Sequence, residues 1–324
     1  MTVSGEHPTT RVTRGSGRAI YRRSSSLMGT VFTIEVVLAT DVESVRRDVE
    51  QVVDDALGWC RGAEEVCSRF DPRSELRQLT ARYGVPVSVS PMLYEVLRFA
   101  MACAEASGGA FDPTIGGRME ARGFTRHYQS GLVSDSGLPV DADVTYRDVV
   151  IDTEDRTVTL RRPLVLDLGG VAKGLAVDLA ASALREYRNF VVDAGGDLFL
   201  GGLNADDEPW RVGIRHPRRE GETVAMLRVS DRAVCTSGDY ERRSTTDGHS
   251  HLMDGRTSRP ALAVASATVL APTAMVADAF ATAAFALGPA DGIRFLSEHG
   301  VEGLIVDSSL TEHKTTHFDQ VRIP

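Results

Sequence analysis

"LDLGGVAKGLAVD", residues 166–178, passes from an apolar run through a double glycine to a lone lysine and then into a helix-forming segment. A strand, glycines and a helix start form a place where backbone N–H groups and the positive helix end can approach an anion. The same letters also describe a plain packing turn. Asp167 falls at the strand end and Lys173 in the first helical turn. A lysine there opposes the helix dipole, at a cost of about a few tenths of a kcal/mol unless it meets an anion or a carboxylate. The stretch is not a Walker loop, because Lys173 precedes Gly174 with no Ser or Thr after it. No Rossmann fingerprint is present either, so a nucleotide kinase and a dehydrogenase are both disfavoured. Spacing alone leaves the phosphate cradle and the packing turn evenly matched.

Short β-rich runs surround this stretch. "RDVVID" (147–152), "RTVTL" (156–160) and "PLVLDL" (163–168) precede it as strands, and its helix is expected to reach about Tyr187. "NFVVDAGGDLFLGG" (189–202), "WRVGIRHP" (210–217), "TVAMLRVS" (223–230) and "RAVCTS" (232–237) follow at hairpin spacing. Upstream, "VFTIEVVL" (31–38) reads as a strand, and 42–67 as a long amphipathic helix with Val45, Val49, Val52, Ala56, Cys60 and Ala63 on one face. A second helix has Ser90 at its N-cap, Pro91 in its first turn and Gly108-Gly109 as its stop. Residues 116–145 read as an irregular excursion. "LAVASATVLA" (262–271) is a strand, and 273–288 a helix between Thr273 as N-cap and Gly288 as stop. A last helix (290–299) and strand (303–307) complete the pattern. The fold class is α/β in the α+β sense: mixed, largely antiparallel sheets with packed helices, in one unit with two lobes.

The chain has 324 residues, enough for a large core, and a net charge of −9, which argues against a nucleic-acid partner. Residues 1–26 are rich in Arg, Ser and Thr, lack an apolar run of signal-peptide length, and read as a disordered tail with Tyr21 near the start of order. The most apolar segment, 261–288, is broken by Pro272 and carries Asp278, so no membrane span is expected. Cys60, Cys67, Cys103 and Cys235 are scattered without a CxxC pair, which favours reduced core thiols in a cytoplasmic protein.

Asp278 and Thr282 lie four apart on an Ala-, Val- and Phe-rich helix, so both oxygens share one face. A buried aspartate is costly unless it is paired, hydrogen-bonded or metal-bound. One carboxylate and one hydroxyl, with water and a substrate phosphate, suit Mg²⁺. The spacing alone slightly favours an Asp–Thr hydrogen bond beside a buried Arg or Lys such as Lys173. In "DGHSHLMDGRTSRP" (247–260), His249 and His251 share one side of an extended segment, with Asp254 next along. They could be ordinary loop histidines, a partial zinc site, or hold one general base. "SGGAFDPTIGG" (107–117) and "VVDAGGDLFLGG" (191–202) add two further glycine turns with carboxylates, as a ligand cleft or a set of tight turns would require.

Eight short stretches in order carry a resemblance. They are "MGT" (28–30), "SRFDPRSEL" (68–76), "GGAFDPT" (108–114), "DLGGVAKGLAVD" (167–178), "VDAGGD" (192–197), "CTSGDYER" (235–242), "SHLMDGRTSRP" (250–260) and "APTAMVADAFATAAFALG" (271–288). Over roughly residues 27 to 290 the chain resembles the FAD:protein FMN transferases, the ApbE-like flavin transferase family. The resemblance implies a Mg²⁺-dependent transferase domain over 27–324 with a flavin cleft between its lobes. Such an enzyme takes FAD, attaches FMN to a Thr or Ser hydroxyl of an acceptor flavoprotein, and releases AMP. By matching positions, Met28, Phe70, Ala110, Phe111, Asp112, Asp167, Lys173 and Met253 would contact FAD. Gly170 (through its carbonyl), Asp278 and Thr282 would hold Mg²⁺, and His251 would be the base.

Three positions depart from the family pattern. Gly255 stands where it has proline and Ser258 where it has glycine, so a looser loop is expected; Ala281 replaces an acidic ligand present in some members. Many members begin with a secretion or lipoprotein signal, and its lack here sets a cytoplasmic acceptor as the expectation. FAD pyrophosphatase activity and non-catalytic FAD binding are the competing readings.

Overall fold

Phe32, Ile34 and Val36 are fully buried while their neighbours Thr33 and Glu35 are not, the two-residue alternation of a strand with one face on a core. The computed structural model describes residues 9–14, 18–40, 42–127, 131–244 and 246–323. Among them, nine strands form the main sheet: β1 (Thr9–Arg14), β2 (Ala19–Leu27), β3 (Thr30–Leu38), β4 (Phe190–Ala194), β5 (Leu198–Gly201), β6 (Arg232–Gly238), β7 (Val264–Ala271), β8 (Glu302–Asp307) and β9 (Glu312–Lys314). Their spatial order follows the chain, and every neighbouring pair is antiparallel. The mixed, largely antiparallel architecture expected from the sequence is present.

Helices α1 (Glu43–Cys67), α2 (Glu75–Thr80), α3 (Pro91–Ala106), α4 (Gly116–Ala121) and α5 (Ala172–Ala183) occupy the long excursion between β3 and β4. That excursion also holds a small sheet of Val87–Ser88, Val149–Asp152 and Thr157–Leu160. Helices α6 (Ala274–Leu287) and α7 (Pro289–Glu298) connect β7 to β8. One sheet face packs on the helices through Ala267, Val269 and Ile305; the other packs on a second core with Leu270, Leu304, Leu227 and Phe318. Covered on both faces, β7 is buried at every position. No helix among the described residues is long and apolar enough to cross a membrane.

The terminal signals read from the sequence hold where they are local. Ser90 accepts the Leu93 amide 3.2 Å away, Thr273 accepts that of Val276, and Gly288 ends α6 with a φ of 88°. Three expectations are corrected. Residues 9–14 and 19–26 are not a loose tail but strands β1 and most of β2, with Tyr21 2% exposed; residues 1–8 and 15–17 lie outside the described residues. Their polar letters hid the pairing, since Arg23 is held by Asp54 of α1, far along the chain. The apolar run 163–168 makes only an isolated bridge, Val165 to Ile115, and short α4 lies within the supposedly irregular 116–145. The chain also continues past β8 into β9 and a short strand, Arg322–Ile323.

The α5–α6 contact positions the rest. A Cβ at Gly174 would lie 2.5 Å from the Ala274 carbonyl oxygen and 2.6 Å from Met275 Cα, so only glycine lets the two helices cross this closely. One turn later Asp178 accepts the Ala274 and Met275 amides at 2.7 and 2.9 Å, capping α6 from a neighbouring helix. Gly174→Ala is expected to cost about 1–3 kcal/mol through overpacking, and Asp178→Ala about 1 kcal/mol through the lost cap. Both should appear as lower urea midpoints at unchanged slope; an unchanged midpoint for Gly174→Ala would show that the crossing is not tight.

Candidate active site

Asp278 is 3% exposed, and its carboxylate is surrounded by donors from α5. The Gly174 amide donates to it at 3.2 Å, and Lys173 Nζ lies 3.3 Å from Oδ2 and 3.4 Å from Oδ1. Lys173 also meets Asp197 Oδ2 at 2.6 Å, from the turn after β4. The lysine of the opening stretch therefore bridges two carboxylates. Burial disfavours its charge, but Asp197 and Asp278 outweigh that and hold its pKa above the usual lysine range. Burial pushes Asp278 up to about 6, with Lys173 opposing.

Thr282 does not bond Asp278 in this arrangement; its hydroxyl lies 3.1 Å from Ser237 Oγ at the end of β6. A Cβ at Gly170 would sit 3.1 Å from Thr282 Oγ1 and 3.0 Å from the Phe111 ring, so the glycine turn closes against both. Gly170, Thr282, Asp278 and Lys173 are thus brought together from α5, its preceding turn and α6, with Phe111 at the side. Every available donor here is oxygen apart from the ammonium, and a hard cation suits such a set. Ala281, three residues after Asp278, is fully buried in the core. No group of three or more His, Cys, Asp or Glu among the described residues is placed to hold a metal, which removes the zinc reading of His249 and His251.

A second cluster adjoins the first. Asp167 accepts Arg69 Nε at 2.8 Å and the Gly169 amide at 2.8 Å. Although burial raises its pKa, Arg69 and that amide hold it below the usual carboxylate range. Arg69 is 4% exposed, stacks over the Phe70 ring at 4.3 Å, and donates to the Phe124 carbonyl at 2.9 Å. The Phe124 ring in turn meets His251 edge-on, with centroids 6.4 Å apart. The His251 amide donates to the Arg242 carbonyl at 3.0 Å, and Nδ1 is buried without a partner. Burial, then the nearby Arg242 charge, pushes the His251 pKa down to about 4. His249 is exposed, its amide bound to Asp247. Of the two histidines only His251 faces the cluster. Arg69 was passed over in the sequence because nothing local distinguishes a buried arginine from a surface one; the "SRFDP" stretch containing it was the available signal.

The remaining candidates are held by backbone geometry. Met28 and Gly29 form the tip of the β2–β3 hairpin with φ of 52° and 79°, and the Met28 amide donates to Glu64 of α1 at 3.1 Å. A left-handed methionine is strained by about 1 kcal/mol. Asp112 is occupied inside its own loop, accepting from the Thr114 amide (2.8 Å), the Thr114 hydroxyl (2.6 Å) and the Tyr146 amide (3.0 Å). Met253 is 5% exposed, in a two-stranded hairpin of Met253–Asp254 and Arg259–Pro260.

That hairpin is tied down rather than loose. The Gly255 amide donates to the Ala110 carbonyl at 3.0 Å, a bond proline cannot make. A Cβ at 255 would lie 2.4 Å from the Gly109 carbonyl oxygen and 2.6 Å from Asp112 Cβ. Asp254 accepts from Arg256 Nε and Nη2, both at 2.9 Å, and Ser258 takes a φ of 59°, the conformation a glycine would favour. A cavity of about 1050 Å³ lies elsewhere, lined by residues such as Arg18, Arg185, Arg188 and Asp231, and includes none of these candidates.

Comparisons with known proteins identify the family. The model of the ApbE family matches residues 28–305, a span that includes every candidate above. A Vibrio cholerae protein named FAD:protein FMN transferase is 28% identical over 316 residues, covering 91% of this chain and 90% of its own. A Treponema pallidum protein of the same name is 33% identical over 310 residues, covering 88% and 84%. The crystal structure of the ApbE protein from Thermotoga maritima matches with a TM-score of 0.82 at 29% identity, over 94% of this chain and all (100%) of that one. The flavin transferase ApbE from Vibrio cholerae matches at 0.80 and 25% identity, over 94% and 99%. By the span of these matches, the chain belongs to the ApbE family.

Proposed function

We propose that this chain is an FAD:protein FMN transferase that joins FMN to a Thr or Ser hydroxyl of an acceptor flavoprotein and releases AMP. The observation that carries the reading is the adjacency of the Asp278–Lys173–Asp197 cluster to a neutral, buried histidine. It is supported by the names of the relatives. Asp278, Thr282 and the Gly170 carbonyl would hold Mg²⁺, which fits their oxygen donors and needs a substrate phosphate and water to complete its shell. When bound, the metal supplies charge neutralisation on the diphosphate.

The chain's own residues do the rest. Lys173 stays charged and keeps Asp197 and Asp278 from repelling one another. Phe111 and Gly170 shape the wall beside them, and Met28, Phe70, Ala110, Asp112, Asp167 and Met253 belong to the flavin-binding surface in this reading. The Nδ1 atom of His251 is enclosed, so Nε2 is the nitrogen that can take the proton of the acceptor hydroxyl. The hydroxyl oxygen then bonds to the FMN phosphorus as the bond to the AMP oxygen breaks. Water in place of the hydroxyl gives FMN and AMP. The four cysteines are unpaired and buried, which suits a reducing compartment, and we place the enzyme and its acceptor in the cytoplasm.

Incubation with FAD, Mg²⁺ and a candidate acceptor should yield covalent flavin on the acceptor and AMP in solution. EDTA should stop both, and Mg²⁺ should restore them. Absence of both FAD binding and AMP release with every acceptor would overturn the reading, and FAD binding without turnover would favour a non-catalytic flavoprotein. Asp278→Ala should reduce AMP release at least about a hundredfold. His251→Ala should slow transfer by about 10²–10⁴ while FAD binding persists. Because burial lowers the His251 pKa to about 4, its base form is present throughout the neutral range. The part of the acid limb of kcat/KM that His251→Ala removes should therefore lie near pH 4 and not near 6.5; a limb near 6.5 that disappears in His251→Ala would contradict this.

A further inference from the structure

The cations at the centre of the site are already engaged. Lys173 lies between Asp197 and Asp278, and Arg69 is committed to Asp167 and the Phe124 carbonyl. Arg69 also meets Glu120 at 3.8 Å, itself 3.5 Å from Arg77, so four carboxylates (Glu120, Asp167, Asp197 and Asp278) face three cations and the floor of the cleft is negative before any ligand arrives. A diphosphate ligand needs positive charge that no carboxylate has neutralised.

The segment between β6 and the 253–260 hairpin supplies it. Asp239 pairs with Arg218 at 2.6 Å, Glu241 with Arg215 at 3.7 Å, and Arg243 donates to the Gly248 carbonyl at 3.3 Å. Arg242 alone among the charged residues of this segment has no side-chain partner among the described residues, and it is exposed. Its own carbonyl holds the His251 amide at 3.0 Å, so its backbone is fixed against the base. Its charge acts on Asp167 and Lys173 of the 166–178 stretch and on His251. Exposed and unpaired on a backbone tied to His251, the guanidinium is left free for a ligand beside that residue.

We infer that Arg242 is a substrate-binding residue whose guanidinium pairs with the diphosphate of the dinucleotide substrate, offsetting the negative floor of the cleft. The inference rests on the transferase reading above and assigns a partner for the phosphates within it. A planar, permanently charged fork matches two phosphate oxygens at once. Held beside His251 by its own carbonyl, it also brings the phosphates next to the base.

The test measures affinity for FAD, ADP and riboflavin, with Mg²⁺ present, in the full chain and in three variants. Arg242→Gln should weaken FAD and ADP binding about ten- to thirtyfold and leave riboflavin, which lacks phosphate, unchanged. Arg242→Lys should recover part of the loss, and Arg243→Gln, the same charge change one residue on, should lose little. The loss in Arg242→Gln should also shrink as salt rises. Equal weakening of riboflavin and FAD, or no greater loss of FAD in Arg242→Gln than in Arg243→Gln, would overturn the assignment while leaving the transferase reading intact. A wild-type chain that binds neither FAD nor ADP would overturn both.

Discussion

The crossing of α5 and α6 at Gly174 is the constraint on which the candidate site depends. Without a side chain at 174, the start of α5 lies directly on the first turn of α6. Each helix then completes the other. The Asp178 carboxylate of α5 takes two amides at the start of α6, while the Asp278 carboxylate of α6 takes an amide and the ammonium from the start of α5. A lone buried carboxylate would cost several kcal/mol. Here its solvation is replaced by donors that the packing itself delivers, so stability and site geometry share one origin.

The features legible in the sequence are those set within a few residues of themselves. The α3 and α6 boundaries follow from Ser90, Pro91, Thr273 and Gly288, whose effects act within one helical turn. The choice over Lys173, cradle or packing turn, could not be settled that way, because its partners lie 24 and 105 residues along the chain. Asp178 and Arg69 escaped notice for the same reason: their work is done on Ala274, Met275, Asp167 and Phe124, all distant in sequence. The run 163–168 misled in the opposite direction. Its apolar letters reflect burial of Leu164, Val165, Leu166 and Leu168, which a buried turn needs as much as a strand does.

The departures from the family pattern are compensated in place. Gly255 gives up the rigidity of proline but gains an N–H, which it donates to the Ala110 carbonyl, and it fits where a Cβ would strike the 109–112 backbone. Ser258 adopts a left-handed conformation that glycine would take freely, at a cost of about 1–2 kcal/mol. Its amide and that of Thr257 both donate to the Asp254 carbonyl, so the strain sits inside a closed turn. The hairpin carrying Met253 therefore stays registered against Ala110 and Asp112 although two of its pattern residues have changed.

Burial has opposite outcomes at Lys173 and His251, and the difference follows from their partners. Lys173 is surrounded by carboxylates, so desolvation is outweighed and the charge is kept. His251 has the Phe124 ring on one side, a positive arginine nearby and no partner at Nδ1, so desolvation prevails and the ring stays neutral. A base must be unprotonated before it can act, and a charge-holding lysine must never lose its proton. The buried cleft gives these two groups opposite outcomes by distributing carboxylates unequally: two surround the lysine, while Asp167 is paired with Arg69.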